Sequence, residues 1–175
     1  MKVSLIIRRF FVPSSAISLY YYLKYRCKVS HKAEVDLSEN LVIGRGTQVG
    51  SFSKIKAADG PLAVGSRTSI GNGCFITSGR AGIRIGNDCL ISSNVSIVGN
   101  SYEYTRLDVS VVEQGTKSAG IRIGDDVWLG VGSVILDGVT VGDQAIVSPN
   151  SLVTSNVPAR AVVLGVPARV IFMRD

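Results

Sequence analysis

Histidine is almost missing from this chain: His31 is the single one in 175 residues. The three cysteines, Cys27, Cys74 and Cys89, are an odd number with no CxxC spacing. Chemistry that draws several imidazoles from one chain is excluded, as are a disulfide scaffold and a zinc module. The thiols read as reduced, in a cytoplasmic protein. Charged residues are scarce at 18% and aromatic ones at 7%. No run approaches the roughly 20 apolar residues of a membrane-crossing helix. Acid is absent from the first 33 residues, which hold Lys2, Arg8, Arg9, Lys24, Arg26, Lys28 and Lys32; the rest carries 12 basic residues against 13 acidic. The net charge of +6 therefore belongs to an N-terminal arm. The near-neutral body lacks the interleaved basic and aromatic surface of a nucleic-acid groove, so no nucleic-acid partner is expected. What is plentiful is apolar residues, 46%, and glycine, 19 residues, which suits one domain with a sizeable core.

Internal repeats organise that apolar content. An aliphatic side chain recurs every six positions at Leu37, Ile43, Val49, Ile55, then Val64, Ile70, Ile76, then Ile85, Ile91, Ile97, and finally Ile123, Leu129, Ile135, Val141, Val147, Val153. Every anchor is Ile, Leu or Val, types that fill only about 30% of the chain, so the period is not accidental. Three residues past most anchors stands Gly, Asn or Asp, as at Gly46, Gly73, Asp88, Asn94, Asp126, Gly132, Gly138 and Asn150. These types best tolerate positive φ, which predicts a tight corner there. Two residues before the anchor the side chain is small, as at Thr47, Ser53, Thr68, Cys74, Cys89, Ser133, Ala145 and Ser151, which predicts an inward position by the two-residue strand period. A short strand and a corner every six residues, three sides to a turn, make a triangular β-helix. Cys74 and Cys89 then read as small buried hydrophobes.

The repeat is interrupted at 55 to 64, at 76 to 85, and over residues 98–120, where about twenty residues leave the coil as a loop, VGNSYEYTRLDVSVVEQGTKSAG. Repeat proteins place insertions on one face, often the binding face, so this loop reads as part of a site. Residues 1–28 read as a helical arm of two short helices with a turn at residues 13–15. It reads as a cap over the open end of the coil, as a peripheral anchor at the inner membrane surface, or as both at once. The division is thus an arm at 1–28, a coil at 29–160 with the loop at 98–120, and a tail at 161–175.

The repeats resemble the hexapeptide-repeat acyltransferases over residues 29–172. The run Asp126, Val127, Trp128, Leu129, Gly130, Val131, Gly132, with Gly165-Val166-Pro167-Ala168-Arg169, is similar to the members that acetylate sugars and polysaccharides. The resemblance implies an all-β fold, a left-handed parallel β-helix with the helical arm and one loop excursion, assembled as a homotrimer. It implies acetyl-CoA as co-substrate in a groove between neighbouring subunits, and no metal. Trp128 would border the reacting centre unless it packs a subunit seam. Gly130 and the Val131 N–H would face the thioester carbonyl, and Pro149, Thr154 and Arg169 would lie along the rest of the molecule. Pro149 stands where relatives offer an N–H, and a proline has none.

The loop departs from the family at one residue. Relatives carry a His-Glu-Tyr run; here it reads Tyr102-Glu103-Tyr104. A phenol with an ordinary pKa near 10 is a poor base at neutral pH, whereas an imidazole near 6.5 suits the task. Glu103 or Asp108 would then serve as base beside Tyr102, or the acceptor would be an amine, which attacks before losing its proton. Asn100, Tyr104 and Arg106 are the candidate contacts to a sugar or polysaccharide precursor. The alternative is a non-catalytic trimer that keeps a ligand groove. A β-helical carbonic anhydrase fails for want of three histidine ligands.

Overall fold

The computed structural model describes residues 12–57 and 59–175. Its body is the expected parallel β-helix. Strands of two or three residues alternate among three faces and pair in parallel with the coil above and below. Face A runs through Lys28–Val29, Gln48–Val49, Ser69–Ile70, Leu90–Ile91, Trp128–Leu129 and Ile146–Val147. Face B holds Glu34–Val35, Lys54–Lys56, Phe75–Thr77, Ser96–Val98, Val134–Leu136 and Leu152–Val153. Face C holds Leu41–Ile43, Leu62–Val64, Ile83–Ile85, Ile121–Ile123 and Thr140–Val141. The anchors stack inside as the core, from Ile43 and Ile55 through Ile97 to Leu129 and Val147.

The corners form where the residue types predict. Gly46, Gly73, Asp88, Asn94, Asp126, Gly132, Gly138 and Asn150 all have positive φ. So do Phe52, Arg67, Gln144 and Arg160, three residues past Val49, Val64, Val141 and Val157; there the coil imposes the turn on side chains that disfavour it. Glycine just after an anchor answers a different need. A Cβ on Gly65 would lie 2.4 Å from the Gly86 carbonyl oxygen of the next coil.

The small residues before the anchors tie coils together. Thr47 Oγ1 donates to the Gly65 carbonyl (2.7 Å), Ser53 Oγ to Gly71 (2.7 Å) and Thr68 Oγ1 to Gly86 (2.9 Å). Cys27, Cys74 and Cys89 occupy the same kind of position. Their Sγ–H groups point at the carbonyls of Gly44 (3.0 Å), Ser92 (3.1 Å) and Gly124 (3.1 Å). All three thiols are free and buried, and burial pushes their pKa up.

Three expectations need correction. The first inward residue of face B is Val35, registered with Ile55, rather than Leu37, which is only half-buried beside the core. The expected turn at residues 13–15 is instead the start of a helix, α1 (Ser14–Tyr25), with Pro13 as its N-cap; the other helix expected in the arm lies outside the described residues. Residues read as a tail form an antiparallel hairpin, Ala161–Gly165 with Ala168–Met173, whose first strand continues face A beside Ile146–Val147. α1 caps the coil's N-terminal end: Tyr21 is buried there, and its hydroxyl donates to the Asp36 carbonyl (2.7 Å).

Candidate functional site

All the interruptions fall at one corner, between faces B and C. The chain makes small excursions between Glu34–Val35 and Leu41–Ile43, between Lys54–Lys56 and Leu62–Val64, and between Phe75–Thr77 and Ile83–Ile85, then the long one after Ser96–Val98. The excursions stack. Ala57 N–H donates to Asp36 Oδ2 (3.0 Å) and Ser78 Oγ to the Gly60 carbonyl (2.7 Å).

The loop is itself a built structure. Its two legs pair as Ser101–Tyr102 with Thr116–Lys117. Its return leg is pinned by Ser118 Oγ on the Gly99 carbonyl (2.6 Å) and by Asp137, whose carboxylate accepts the N–H groups of Ala119 (2.7 Å) and Gly120 (2.8 Å). The Gln114 side chain clamps the tip, donating to the Arg106 carbonyl (2.8 Å) and accepting the Arg106 N–H (3.0 Å). A cleft of about 110 Å³ at the loop's base is lined by Asp59, Gly79, Arg80, Asn100, Thr116 and Ser118. Asn100 thus lies where a small polar molecule could be held. Asp59 and Arg80 join it from the stacked excursions, and sequence reasoning missed both. The shared three-residue excess of two interruptions was the signal that placed them at this corner.

The expected base candidates occupy the outer loop. Tyr102 is exposed, and Lys117 Nζ lies 5.6 Å from the Tyr104 ring centroid. Glu103 is ion-paired with Lys117 (3.6 Å). Asp108 is ion-paired with Arg106, whose guanidinium holds that carboxyl below the usual carboxylate range, so Asp108 is a weakened base. His31 lies in the first coil, at the A–B corner.

The other group of residues gathers at the A–B corner of the fifth coil. Trp128 stands on face A between Leu90 and Ile146, partly exposed, its indole N–H donating to Ser92 Oγ (3.1 Å). Below it, backbone N–H groups of successive coils are satisfied by side chains of the coil above. Ser51 N–H donates to Asn72 Oδ1 (2.8 Å) and Asn72 N–H to Ser93 Oγ (3.3 Å). The residues next in this column are Val131 and Pro149, whose side chains carry no oxygen. The ladder stops, and among the described residues the N–H groups of Ser93 and Val131 meet no acceptor. At the C–A corner the ladder runs one coil further: Ser66, Asn87 and Asp125 are capped in turn by Asn87 (2.9 Å), Asp125 (2.7 Å) and Asp143 (2.9 Å), while the N–H groups of its end members Arg45 and Asp143 meet no acceptor among the described residues. Ser133 Oγ, just inside the A–B corner, is also buried without a partner among the described residues.

Gly130 is packed too tightly for a side chain, and Pro149 sits on it from the next coil. Gly165 N–H donates to Ser151 Oγ (3.1 Å), which fixes the C-terminal hairpin over the same corner and carries Arg169 there. Thr154 is exposed past the last strand of face B, on the far side of that face. The single chain therefore assembles Trp128, Gly130, Val131, Pro149 and Arg169 along one edge. It holds Asn100, Tyr102, Glu103, Tyr104, Arg106 and Asp108 at another, with no hydrogen bond or ion pair joining the two groups among the described residues. Nor does any cluster of three His, Cys, Asp or Glu suited to a metal occur among them.

Comparison with known proteins agrees with this architecture. Residues 120–155 match the bacterial transferase hexapeptide (six repeats), and residues 61–98 the hexapeptide repeat of succinyl-transferase. The chain is 31% identical over 159 residues to the galactoside O-acetyltransferase of Escherichia coli, covering 85% of this chain and 74% of that one. It is 28% identical over 135 residues to a probable acetyltransferase of Mycobacterium tuberculosis, 77% of this chain but only 45% of the relative's length. Among solved structures, a variant of AntD, an N-acyltransferase from Bacillus cereus in complex with dTDP and coenzyme A, superposes with a TM-score of 0.77, covering 90% of this chain and 88% of that one at 19% identity, a likeness of fold.

Proposed function

The chain belongs to the hexapeptide-repeat acyltransferases, and on that premise we propose that it moves an acetyl group from acetyl-CoA to a sugar or surface-polysaccharide precursor, working as a homotrimer. The observation that carries this reading is the Val131 N–H, three residues past Trp128, which meets no acceptor among the described residues at a corner where the capping ladder stops. Acetyl-CoA supplies the activated acyl group, a thioester whose carbonyl oxygen gains negative charge as it is attacked. A fixed N–H donor aimed at that oxygen stabilises the charge without having to reorganise, an effect worth about 10²–10³ in rate. Trp128, Leu90 and Ile146 give the edge an apolar wall, and the exposed Arg169 offers a cation toward the nucleotide end.

The trimer is supported by the separation of the two groups of residues. The loop and the Val131 edge lie on opposite sides of face B, so a site that needs both takes the loop from one copy and the edge from its neighbour. The cleft by Asn100, Asp59 and Arg80 then receives the acceptor.

An amine acceptor suits this chain best. A neutral amine attacks before it loses a proton, so positioning and the Val131 donor suffice. A hydroxyl needs a base as it reacts; Tyr102 replaces the family's histidine, Glu103 is paired with Lys117, and Asp108 is held low by Arg106. The experiment is thiol release from acetyl-CoA over a panel of sugars and amino sugars, with a thermal-shift titration by CoA. Thiol release on amino sugars, rising with pH as the amine deprotonates, supports the reading. A fast reaction on hydroxyl sugars alone overturns the amine acceptor. Stabilisation by CoA with silence on every acceptor leaves the ligand-binding, non-catalytic trimer.

A further inference from the structure

We propose that the outward side of α1 docks on an anionic lipid bilayer. α1 is apolar on more than the side it buries. Ile17, Tyr21 and Tyr25, at i, i+4 and i+8, turn to the coil. On the opposite side Ala16, Leu19 and Leu23 form a second stripe, with Leu19 56% and Leu23 66% exposed, flanked by the exposed rings of Tyr20 and Tyr22. A cap needs an apolar face only toward what it covers. A helix apolar on both sides is a helix with a second neighbour or a membrane around it.

Charge selects the neighbour. Lys24 Nζ donates to Tyr20 Oη (2.8 Å) and lies 4.9 Å from the Tyr25 ring centroid. These contacts raise its pKa and keep it cationic. The Arg26 guanidinium sits 5.9 Å from the Tyr22 ring centroid. Cations thus lie beside the tyrosine rings, and no acid occurs before Glu34. Aromatic rings at headgroup depth with lysine and arginine reaching phosphate is the chemistry of an interfacial helix. A second copy set against this face would oppose the same uncompensated positive charge. No described helix is long and apolar enough to cross a membrane, so the contact is with the surface. In the trimer proposed above, three caps share one end and bind with avidity; that gain rests on the trimer, whereas the face on each chain does not.

The test is co-sedimentation of the full chain with vesicles of phosphatidylcholine alone, or mixed with phosphatidylglycerol, at low and high salt. Binding is expected to the mixed vesicles at low salt. It should weaken about tenfold or more when phosphatidylglycerol is omitted or salt is raised, because screening shortens the reach of the cations. The double variant Leu19→Ser, Leu23→Ser should weaken partitioning about tenfold with an unchanged melting temperature. If it fails to fold, Lys24→Gln with Arg26→Gln carries the test, since both side chains are exposed; it should lose most of the salt dependence. Equal binding by wild type and a folded variant would overturn the proposal. So would no binding to anionic vesicles, or a light-scattering mass that falls on leucine substitution without vesicle binding. Acetyl transfer to soluble acceptors should be unaffected by these substitutions, which separates failure here from failure of the enzymatic reading.

Discussion

Replacing Val131 by proline removes one hydrogen atom from the proposed site and little else. Among the described residues the Val131 N–H meets no acceptor, so its loss breaks no hydrogen bond there. Conformation is no obstacle either, because the equivalent position of the next coil is already Pro149. Gly132 and Asn150 follow the two positions with the same left-handed turn, φ 68° and 56°. The valine side chain is partly exposed, so little apolar burial is forfeited, and the stiffer residue lowers the entropy of the unfolded chain. The melting temperature should therefore move by no more than a few degrees. The same substitution at Ser51 removes the N–H that donates to Asn72 Oδ1 (2.8 Å) and the hydroxyl paired with Ser30 Oγ (2.9 Å), and should cost about 2 kcal/mol. Catalysis should respond in the opposite order. Loss of one fixed donor to the thioester oxygen lowers kcat by about 10²–10³, or about 2.7–4 kcal/mol, while Ser51→Pro should leave kcat unchanged. The assay is thiol release at saturating acetyl-CoA, with melting temperature and light-scattering mass in parallel. A folded Val131→Pro protein with kcat within about twofold of wild type would refute the role given to this N–H. An unfolded one would refute the equivalence with Pro149.

Trp128→Ala should raise the KM for acetyl-CoA about tenfold and leave the light-scattering mass of the assembly unchanged; dissociation into monomers would make Trp128 seam packing instead. Tyr102→His should increase transfer to hydroxyl acceptors at pH 7–8 about tenfold, below the roughly 10²–10⁴ of an optimised base because the histidine would lack its supporting hydrogen bonds. A wild type already fast on hydroxyl sugars and slowed by this change would sink the missing-base argument. Burial raises the pKa of Cys27, Cys74 and Cys89. Thiolate reagents at pH 8 should therefore leave the native protein unlabelled and titrate all three thiols after denaturation; rapid native labelling of any one would contradict its place in the stack.

Much of the fold was legible because a solenoid writes its geometry locally. Ile43, Val49 and Ile55 repeat at the period of the sides, and Gly46, Gly73, Asn94 and Gly132 mark corners by the φ values they tolerate. The loop at 98–120 was legible as an interruption, and Trp128 and Val131 through the family motif. Leu37 misled because it keeps the six-residue spacing back from Ile43, while the chain takes a longer path there and buries Val35 instead. Asp59 and Arg80 were hidden for a related reason. They are unremarkable in sequence and acquire meaning only when their excursions stack against Asn100.

The sequence by itself determined that the chain coils, how long each side is and, apart from Leu37, which repeat anchors enter the core, since each depends on residues within about six positions of one another. Only the tertiary structure decided what each corner offers. Whether the Val131 N–H is capped depends on the residue one coil above, in register at Pro149 rather than at an asparagine. Whether Asp108 is a strong or weak base depends on where Arg106 folds in the loop. Backbone N–H groups are the same at every residue, so their availability is set by neighbours distant in the chain and adjacent in the stack.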